Sequence, residues 1–162
     1  MITHSKLMEL IAYNPETGAL FWKVAGKGRT LGKIAGSISR KGYREIGIDY
    51  KIYYAHRLVW LYIHGRWPYD QIDHINLVRD DNRLCNLRES NQTENKGNTR
   101  KHCNNRSGFK GVCWHRQCKK WQASIKINGT QTYLGLFDDL SAAAAAYERA
   151  AKTHFGEFAR VA

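Results

Sequence analysis

The chain has 162 residues, of which 43% are hydrophobic and 12% aromatic, enough for a packed core in one ordinary domain or two small ones. Lysine and arginine number 26 against 14 aspartate and glutamate residues, and the net charge of +12 favours a polyanionic partner, nucleic acid first. The sequence has no apolar run long enough for a membrane span and no signal-peptide pattern, so we expect no membrane contact and a cytoplasmic location.

The N-terminal half reads as a small β-rich module followed by a helix. A Pro-Glu-Thr-Gly turn signal lies inside "YNPETGALFWK", and residues 32–60 alternate between apolar and polar types with glycine punctuation, as short antiparallel strands do. From Tyr54 to Ile63 the apolar spacing predicts a helix that ends at Gly65.

A second, short helix is predicted after the polar stretch "QIDHINLVRDDNRLCNLRES". Ser90 or Asn91 caps it, Glu94 completes a capping box, and it runs to about Asn98. Residues 99–107 are polar, basic and without periodicity, so we predict a linker that becomes ordered on DNA.

Three strand-like runs and a helix are predicted in the C-terminal third. The runs are "GFKGVCWHR", "KWQASIKING" and "TQTYLGLF", and Asn128-Gly129 is a strong hairpin signal between the second and third. The alanine-rich segment after them starts at Asp139 or Ser141 and ends near Gly156. We expect a three-stranded antiparallel sheet covered by this helix.

Positive charge is concentrated in this C-terminal part. Residues 1–95 carry 14 basic and 10 acidic side chains, whereas residues 96–162 carry 12 and 4. Residues 96–126 contain nine lysines or arginines and no carboxylate, which favours contact with phosphates over an ordinary solvated surface.

Asp73-His74 is the strongest candidate for chemistry. Phosphodiester hydrolysis needs a group that activates water and a cation that neutralises charge developing on the phosphate. His74 can accept a proton near pH 7, Asp73 can bind a metal ion, and Asn95 offers an amide oxygen as the second protein ligand. One carboxylate and one amide oxygen suit Mg²⁺ or Mn²⁺ better than zinc.

The cysteines suggest neither a disulfide framework nor a strong zinc site. Cys85, Cys103, Cys113 and Cys118 include no Cys-x-x-Cys pair. A zinc site built from the last three with His102 or His115 is an alternative, but the spacings match no common finger, so we do not expect zinc. The remaining histidines and the tryptophans are interpreted as packing or surface residues; they include His56, His64 and His154, with Trp60, Trp67, Trp114 and Trp121 as core.

The spacing of Asp73-His74, Asn86 and Asn95 resembles the ββα-metal core of HNH endonucleases, in the His-Asn-Asn variety found in phage homing endonucleases. "AHRLVW" at 55–60 and "DDNRLCNLRE" at 80–89 are similar to that family too. The resemblance implies that Asp73 and Asn95 hold the metal, His74 is the general base, and Asn86 pins the loop and helps orient His74. Many relatives have glycine where this chain has Leu77, so we expect a different turn there.

The C-terminal third resembles the AP2 DNA-binding domain of plant transcription factors and phage endonucleases, over "SGFKGVCWHRQCKKWQASIKINGTQTYLGLFDDLSAAAAAYERAAKTHFGEFA". The resemblance implies a sheet lying in the major groove. We assign the lysines and Arg116 mainly to contacts with phosphates. The positions that would contact bases carry no arginine, which implies weaker or different base recognition. The DNA-binding candidates are Lys110, His115, Arg116, Lys119, Lys120, Ser124, Lys126, Gln131 and Tyr133.

Together these patterns predict an α+β protein in two parts: an HNH nuclease domain at 1–98, a basic linker at 99–107 and an AP2-like DNA-binding domain at 108–162. We expect an Mg²⁺- or Mn²⁺-dependent endonuclease with one ion per active site, acting on double-stranded DNA by nicking, as a monomer or weak dimer, in a host cell if phage-encoded. The alternative from another class is a non-catalytic, sequence-specific DNA-binding protein with a degenerate HNH core.

Overall fold

A computed structural model describes residues 1–101 and 103–160, and the fold belongs to the α+β class. The chain divides into two compact units, Met1–Ser90 and Asn91–Ala162. His102, named above only in the alternative zinc site that we do not expect, lies outside the described residues. In the part of the chain that the structure describes, no helix is both long and apolar enough to cross a membrane.

The first unit combines two helices with three small antiparallel sheets, which pair β1 with β2, order β3-β4-β5, and pair β6 with β7. Its elements are α1 (His4–Leu10), β1 (Ile11–Tyr13), β2 (Leu20–Trp22), β3 (Ser37–Ile38), β4 (Arg44–Ile48), β5 (Lys51–Tyr54), α2 (Ala55–His64), β6 (Gln71–His74), a 3₁₀ turn (Leu84–Asn86) and β7 (Leu87–Ser90). The predicted β-rich module and the helix ending at Gly65 are confirmed, whereas none of the patterns above indicates α1.

One hydrophobic core holds this unit together. The buried face of α2 contributes Leu58 and Val59, and Ile46 and Ile48 of β4 face them from the central sheet. Ile72 of β6 belongs to the same core, so the strand that carries the candidate catalytic pair is anchored by apolar packing. Trp60 is buried and Trp67 packs against the cluster, as predicted.

The second unit is a three-stranded antiparallel sheet with a long helix packed on it and a short helix at its start. Its elements are α3 (Gln92–Gly97), β8 (Val112–His115), β9 (Lys120–Ile127), β10 (Thr130–Phe137), α4 (Leu140–Phe155) and a 3₁₀ turn (Gly156–Phe158). The strand order is β10-β9-β8. The Asn91–Glu94 capping box, the turn at Asn128-Gly129 and the Asp139 cap of α4 are all confirmed.

The sheet and α4 enclose a separate core. Ala143, Ala146 and Ala151 bring α4 close to Val112, Ala123 and Ile125 of the sheet, as the alanine-rich sequence predicts. Gly111 lies under the Tyr147 ring at φ +71°, with no room for a Cβ atom. Trp114 departs from its prediction as a core residue: it lies on the edge strand β8 and is 47% exposed, with its ring against Trp121.

The β1–β2 hairpin fits tightly against the loop that precedes β7. The Tyr13 hydroxyl donates to the Asn82 carbonyl (3.2 Å) and accepts from the Leu84 N–H (3.0 Å). Gly18, in this hairpin, has φ +73°, and a Cβ there would overlap the backbone of Asn82 and Arg83. The hairpin therefore fixes the loop that carries Asn82.

We predict that Gly18→Ala is more destabilising than Gly28→Ala. Both glycines have left-handed φ, but a Cβ at Gly28 meets nothing within 4 Å. Gly28→Ala should cost only the backbone strain, about 1–2 kcal/mol, and Gly18→Ala about 1–3 kcal/mol more from overlap with the loop. Urea unfolding measures the loss of stability in both variants. Equal losses would mean that the loop moves away from the hairpin to accommodate the Cβ atom.

Candidate active site

The candidate catalytic pair lies at the end of β6, in a hairpin with β7. The strands pair antiparallel with Asp73 opposite Arg88 and His74 opposite Leu87. Asp73 and His74 are both buried, with 3% and 4% exposure. The end of β6 thus buries two consecutive polar residues where the chain leaves the sheet.

The loop from residue 75 to residue 86 is organised by Asn86. Its amide oxygen accepts from the Asn76 N–H (2.9 Å), and its amide nitrogen donates to the Asp81 carbonyl (2.8 Å). The start and the middle of the loop are therefore tied to one buried side chain at its end. Leu77 in this loop has φ +63°, the left-handed conformation that glycine favours, and the expectation of a different turn from that of the relatives stays a prediction.

His74 is oriented by Asn82, a residue that the sequence analysis does not single out. The His74 Nε2 atom lies 3.3 Å from the Asn82 Oδ1 atom. Asn82 donates its own amide N–H to the Asp80 carbonyl (3.2 Å), so its oxygen faces the imidazole. This orientation of the amide favours the tautomer in which Nε2 carries the proton and Nδ1 the lone pair.

Burial keeps His74 in its neutral form. Burial lowers the pKa of His74, while the Asn82 hydrogen bond and the charges of Asp73 and Asp81 act in the opposite direction. A neutral imidazole at pH 7 is the form that accepts a proton from water.

A cluster of aromatic rings surrounds His74. The His56 ring meets it edge-on with centroids 5.0 Å apart, and His56 in turn stacks on Tyr54 at 5.4 Å. Tyr43 lies 5.4 Å from His56 and 5.9 Å from His74. Burial, with the nearby His74 and Arg57, lowers the pKa of His56 to about 3, so this ring is a neutral packing partner. The interpretation of His56 as a packing residue is confirmed, and the residue it packs against is His74, the candidate base.

Arg88 forms an ion pair with Asp73 inside the hairpin. Its Nε and Nη2 atoms donate to the Asp73 Oδ2 atom at 3.0 and 2.9 Å. The side chains of Arg88 and Asp73 are 14% and 3% exposed, so the pair is screened little by solvent. The register of the β6–β7 pairing places these two residues opposite each other. The sequence alone does not specify this register.

The predicted metal ligands are oxygen donors of the kind that Mg²⁺ and Mn²⁺ prefer. Asp73 supplies a carboxylate on β6, and Asn95 supplies an amide on α3 of the second unit. In residues 1–101 and 103–160 there is no group of three or more His, Cys, Asp or Glu side chains suited to a metal ion. Asp73 and Asn95 belong to different units, and their shared metal site stays a prediction.

The predicted DNA-binding residues divide by position in the second unit. Six belong to one face of the sheet, opposite α4, by strand alternation: His115, Lys120, Ser124, Lys126, Gln131 and Tyr133. Arg116 and Lys119 lie in the turn between β8 and β9.

Two of the predicted lysines have partners within the unit. Lys110 lies before β8, and its ammonium donates to the carbonyls of Gly97 (2.7 Å) and Thr99 (3.0 Å). Burial and the charge of Arg160 lower the pKa of Lys110 to about 8. Lys120 pairs with Asp138 at 3.1 Å on the surface. A phosphate role for either lysine stays a prediction.

The predicted linker has local structure at its C-terminal end. The Ser107 hydroxyl oxygen lies 3.0 Å from the Phe109 carbonyl and 2.8 Å from the Val112 carbonyl, and the Asn105 amide donates to the Phe109 carbonyl (2.7 Å). The turn before β8 is therefore closed by side-chain hydrogen bonds.

The β6–β7 hairpin lies inside the stretch that the family comparison covers. Residues 53–96 match the family model described as HNH endonuclease. These residues include α2, the β6–β7 hairpin and α3, so this stretch of the chain is similar to HNH endonuclease domains.

A phage protein extends the match over most of the chain. The chain is 32% identical over 122 residues to Protein 3.8 of Escherichia phage T7, which covers 75% of this chain and 98% of that protein. The chain belongs to the same family as Protein 3.8.

Plant transcription factors match a shorter stretch. Over 45 residues, or 28% of this chain, it is 47% identical to APETALA2-like protein 2 of Oryza sativa and to AP2-like ethylene-responsive transcription factor TOE2 of Arabidopsis thaliana. The matched stretch spans 10% and 9% of those proteins. No solved structure matches the chain significantly.

We predict that Arg88→Met destabilises the protein by about 3–5 kcal/mol, because it leaves the Asp73 carboxylate buried without this cation. The double variant Arg88→Met with Asp73→Asn should recover much of the loss. Urea unfolding in EDTA measures both. The control is Lys152→Met, which breaks an exposed pair with Glu148 and should change stability by less than about 1 kcal/mol; an equal effect of the two single variants would contradict the prediction.

Proposed function

We propose that the protein is a metal-dependent endonuclease that hydrolyses phosphodiester bonds in double-stranded DNA. The observation that carries the proposal is the buried Asp73-His74 pair, with His74 held by Asn82, inside the stretch that matches HNH endonucleases. The basic second unit supports DNA as the substrate, since residues 96–126 contain nine lysines or arginines and no carboxylate.

His74 acts as the general base in this proposal. Its Nδ1 atom takes a proton from a water molecule, the water oxygen bonds to the scissile phosphorus, and the bond from phosphorus to the 3′ oxygen breaks. Asn82 contributes by holding Nε2–H, so that the lone pair of the imidazole stays on Nδ1. Asn86 contributes by keeping the loop around the site closed.

Asp73 and Asn95 are the proposed ligands of one Mg²⁺ or Mn²⁺ ion. When bound, the ion supplies positive charge against the phosphate and the leaving oxygen. Arg88 holds the Asp73 carboxylate in a set orientation through Oδ2. One such site per chain leads us to propose single-strand nicking, with a double-strand break requiring two chains or two successive nicks.

The three-stranded sheet is proposed to place the nuclease by lying in the major groove. The plant transcription-factor match and the basic charge support this placement. Exposed side chains of β9 and β10 face away from α4 and offer polar groups to base edges.

We expect His74→Ala to lower plasmid nicking by about 10²–10⁴-fold, the contribution typical of a general base. The assay compares supercoiled plasmid carrying DNA from the protein's own genome in Mg²⁺, Mn²⁺ or EDTA, and Asp73→Ala should be equally inactive. His154→Ala, which removes an exposed histidine of α4, is the matched control and should cut at the wild-type rate.

Three outcomes of this assay have different meanings. Unchanged cutting by His74→Ala would remove His74 as the base. Cutting by wild type in EDTA would remove the metal. No cutting by wild type, with DNA mobility shifts intact, would favour the non-catalytic DNA-binding alternative.

Asn82→Ala should lower kcat by about 10- to 100-fold with little change in KM, because the imidazole loses the partner that sets its tautomer and orientation. Asn76→Ala is the control, since Asn76 lies in the same loop but bonds Val78 and Asp81 instead of His74. Single-turnover nicking at saturating enzyme measures the difference. Equal effects of the two variants would assign Asn82 a role in the loop only.

A further inference from the structure

The open face of the β8–β10 sheet carries the side chains that strand alternation turns away from α4. Val112, Ala123 and Ile125 point into the core beneath α4. The cross-strand pairs Cys113 with Gln122, Ser124 with Tyr133, and Lys126 with Gln131 then share the opposite face.

The side chains of this face differ from those of a DNA-binding surface that is rich in arginine. None of the strands β8, β9 and β10 contains an arginine. Arginine bonding to guanine O6 and N7 is the commonest base-specific contact in the major groove. The face instead offers two amides, Gln122 and Gln131, and amides are the side chains that pair with adenine.

The Gln131 amide is held in place by its neighbour. Its Nε2 atom donates to the Ser124 Oγ atom at 2.6 Å, across the β9–β10 pair. This bond uses one N–H of the amide. The second N–H and the Oε1 atom form the donor and acceptor pair that complements adenine N7 and the adenine N6 amino group. A side chain held in this way loses less rotamer entropy on binding than a mobile one.

We propose that Gln131, oriented by Ser124, reads an adenine in the major groove of the recognition site. Gln131 is thus a specificity-determining residue, and the site bound by the sheet contains an A·T pair at a fixed position. The inference rests on the proposed placement of the sheet in the major groove. Lys126, opposite Gln131, adds a cation that can bond to a phosphate or to a neighbouring guanine.

Binding-site selection tests the proposal. The full-length chain, in EDTA, is used to select duplexes from a random-sequence pool, and affinities for the selected duplex and its single-base variants are then measured. For the wild type we expect one position at which replacing adenine lowers affinity by about 5- to 150-fold. Gln131→Ala should bind all four bases equally at that position, and Gln131→Arg should shift the preference to guanine.

Ser124→Ala and Thr132→Ala serve as matched variants. Ser124→Ala should retain an adenine preference that is weaker than that of the wild type, since the amide stays but its orienting partner is gone. Thr132 neighbours Gln131 but pairs with Ile125, on the side of the sheet that faces α4, so Thr132→Ala should select the wild-type sequence. Circular dichroism and thermal unfolding check that each variant is folded.

The possible results separate this inference from the proposed function. If Gln131→Ala keeps every base preference while Lys126→Ala and Tyr133→Ala weaken binding, the adenine contact is overturned and the placement of the sheet stands. If no substitution on the open face changes affinity or sequence preference, both the contact and the placement are overturned.

Discussion

Burial of a polar pair at a strand end is the constraint on which the first unit depends. Asp73 and His74 lose nearly all contact with solvent, and buried polar groups are costly unless they have partners. Arg88 supplies a cation for Asp73, and Asn82 supplies an acceptor for His74. Much of the surrounding structure holds these partners in place: Asn86 closes the loop, and the Tyr13 hydroxyl bonds the segment that carries Asn82.

This arrangement links stability to chemistry. The interactions that compensate the burial of His74 also set which ring nitrogen carries its proton, and burial itself keeps the ring neutral. His56 and Tyr43 extend the same environment by packing aromatic rings against His74. In the proposed mechanism this packing orients His74 as the general base before the substrate binds. The loop leucine at φ +63° shows that the chain tolerates strain to keep this turn.

The second unit depends on a different constraint, close packing between a sheet and an alanine-rich helix. Small residues let α4 approach the strands, and Gly111 leaves room for Tyr147. One face of each strand packs on α4, and the opposite face carries polar side chains such as Ser124, Lys126 and Gln131. Its lack of arginine and its paired Gln131 and Ser124 define a surface chemistry distinct from guanine-reading faces.

The sequence by itself determined the features that depend on local chemistry: the capping box at Asn91, the turn at Asn128-Gly129, the end of α2 at Gly65 and the alternation that makes β8 to β10 strands. It also indicated Asp73-His74 through residue type and spacing. Helix α1, the exposure of Trp114 and the partners Asn82, Arg88 and His56 were decided only by the tertiary structure. The physical reason is that a polar residue in a loop is ordinarily solvated. Only the packing of distant segments, such as Tyr13 against Leu84, determines that Asn82 is buried and faces an imidazole.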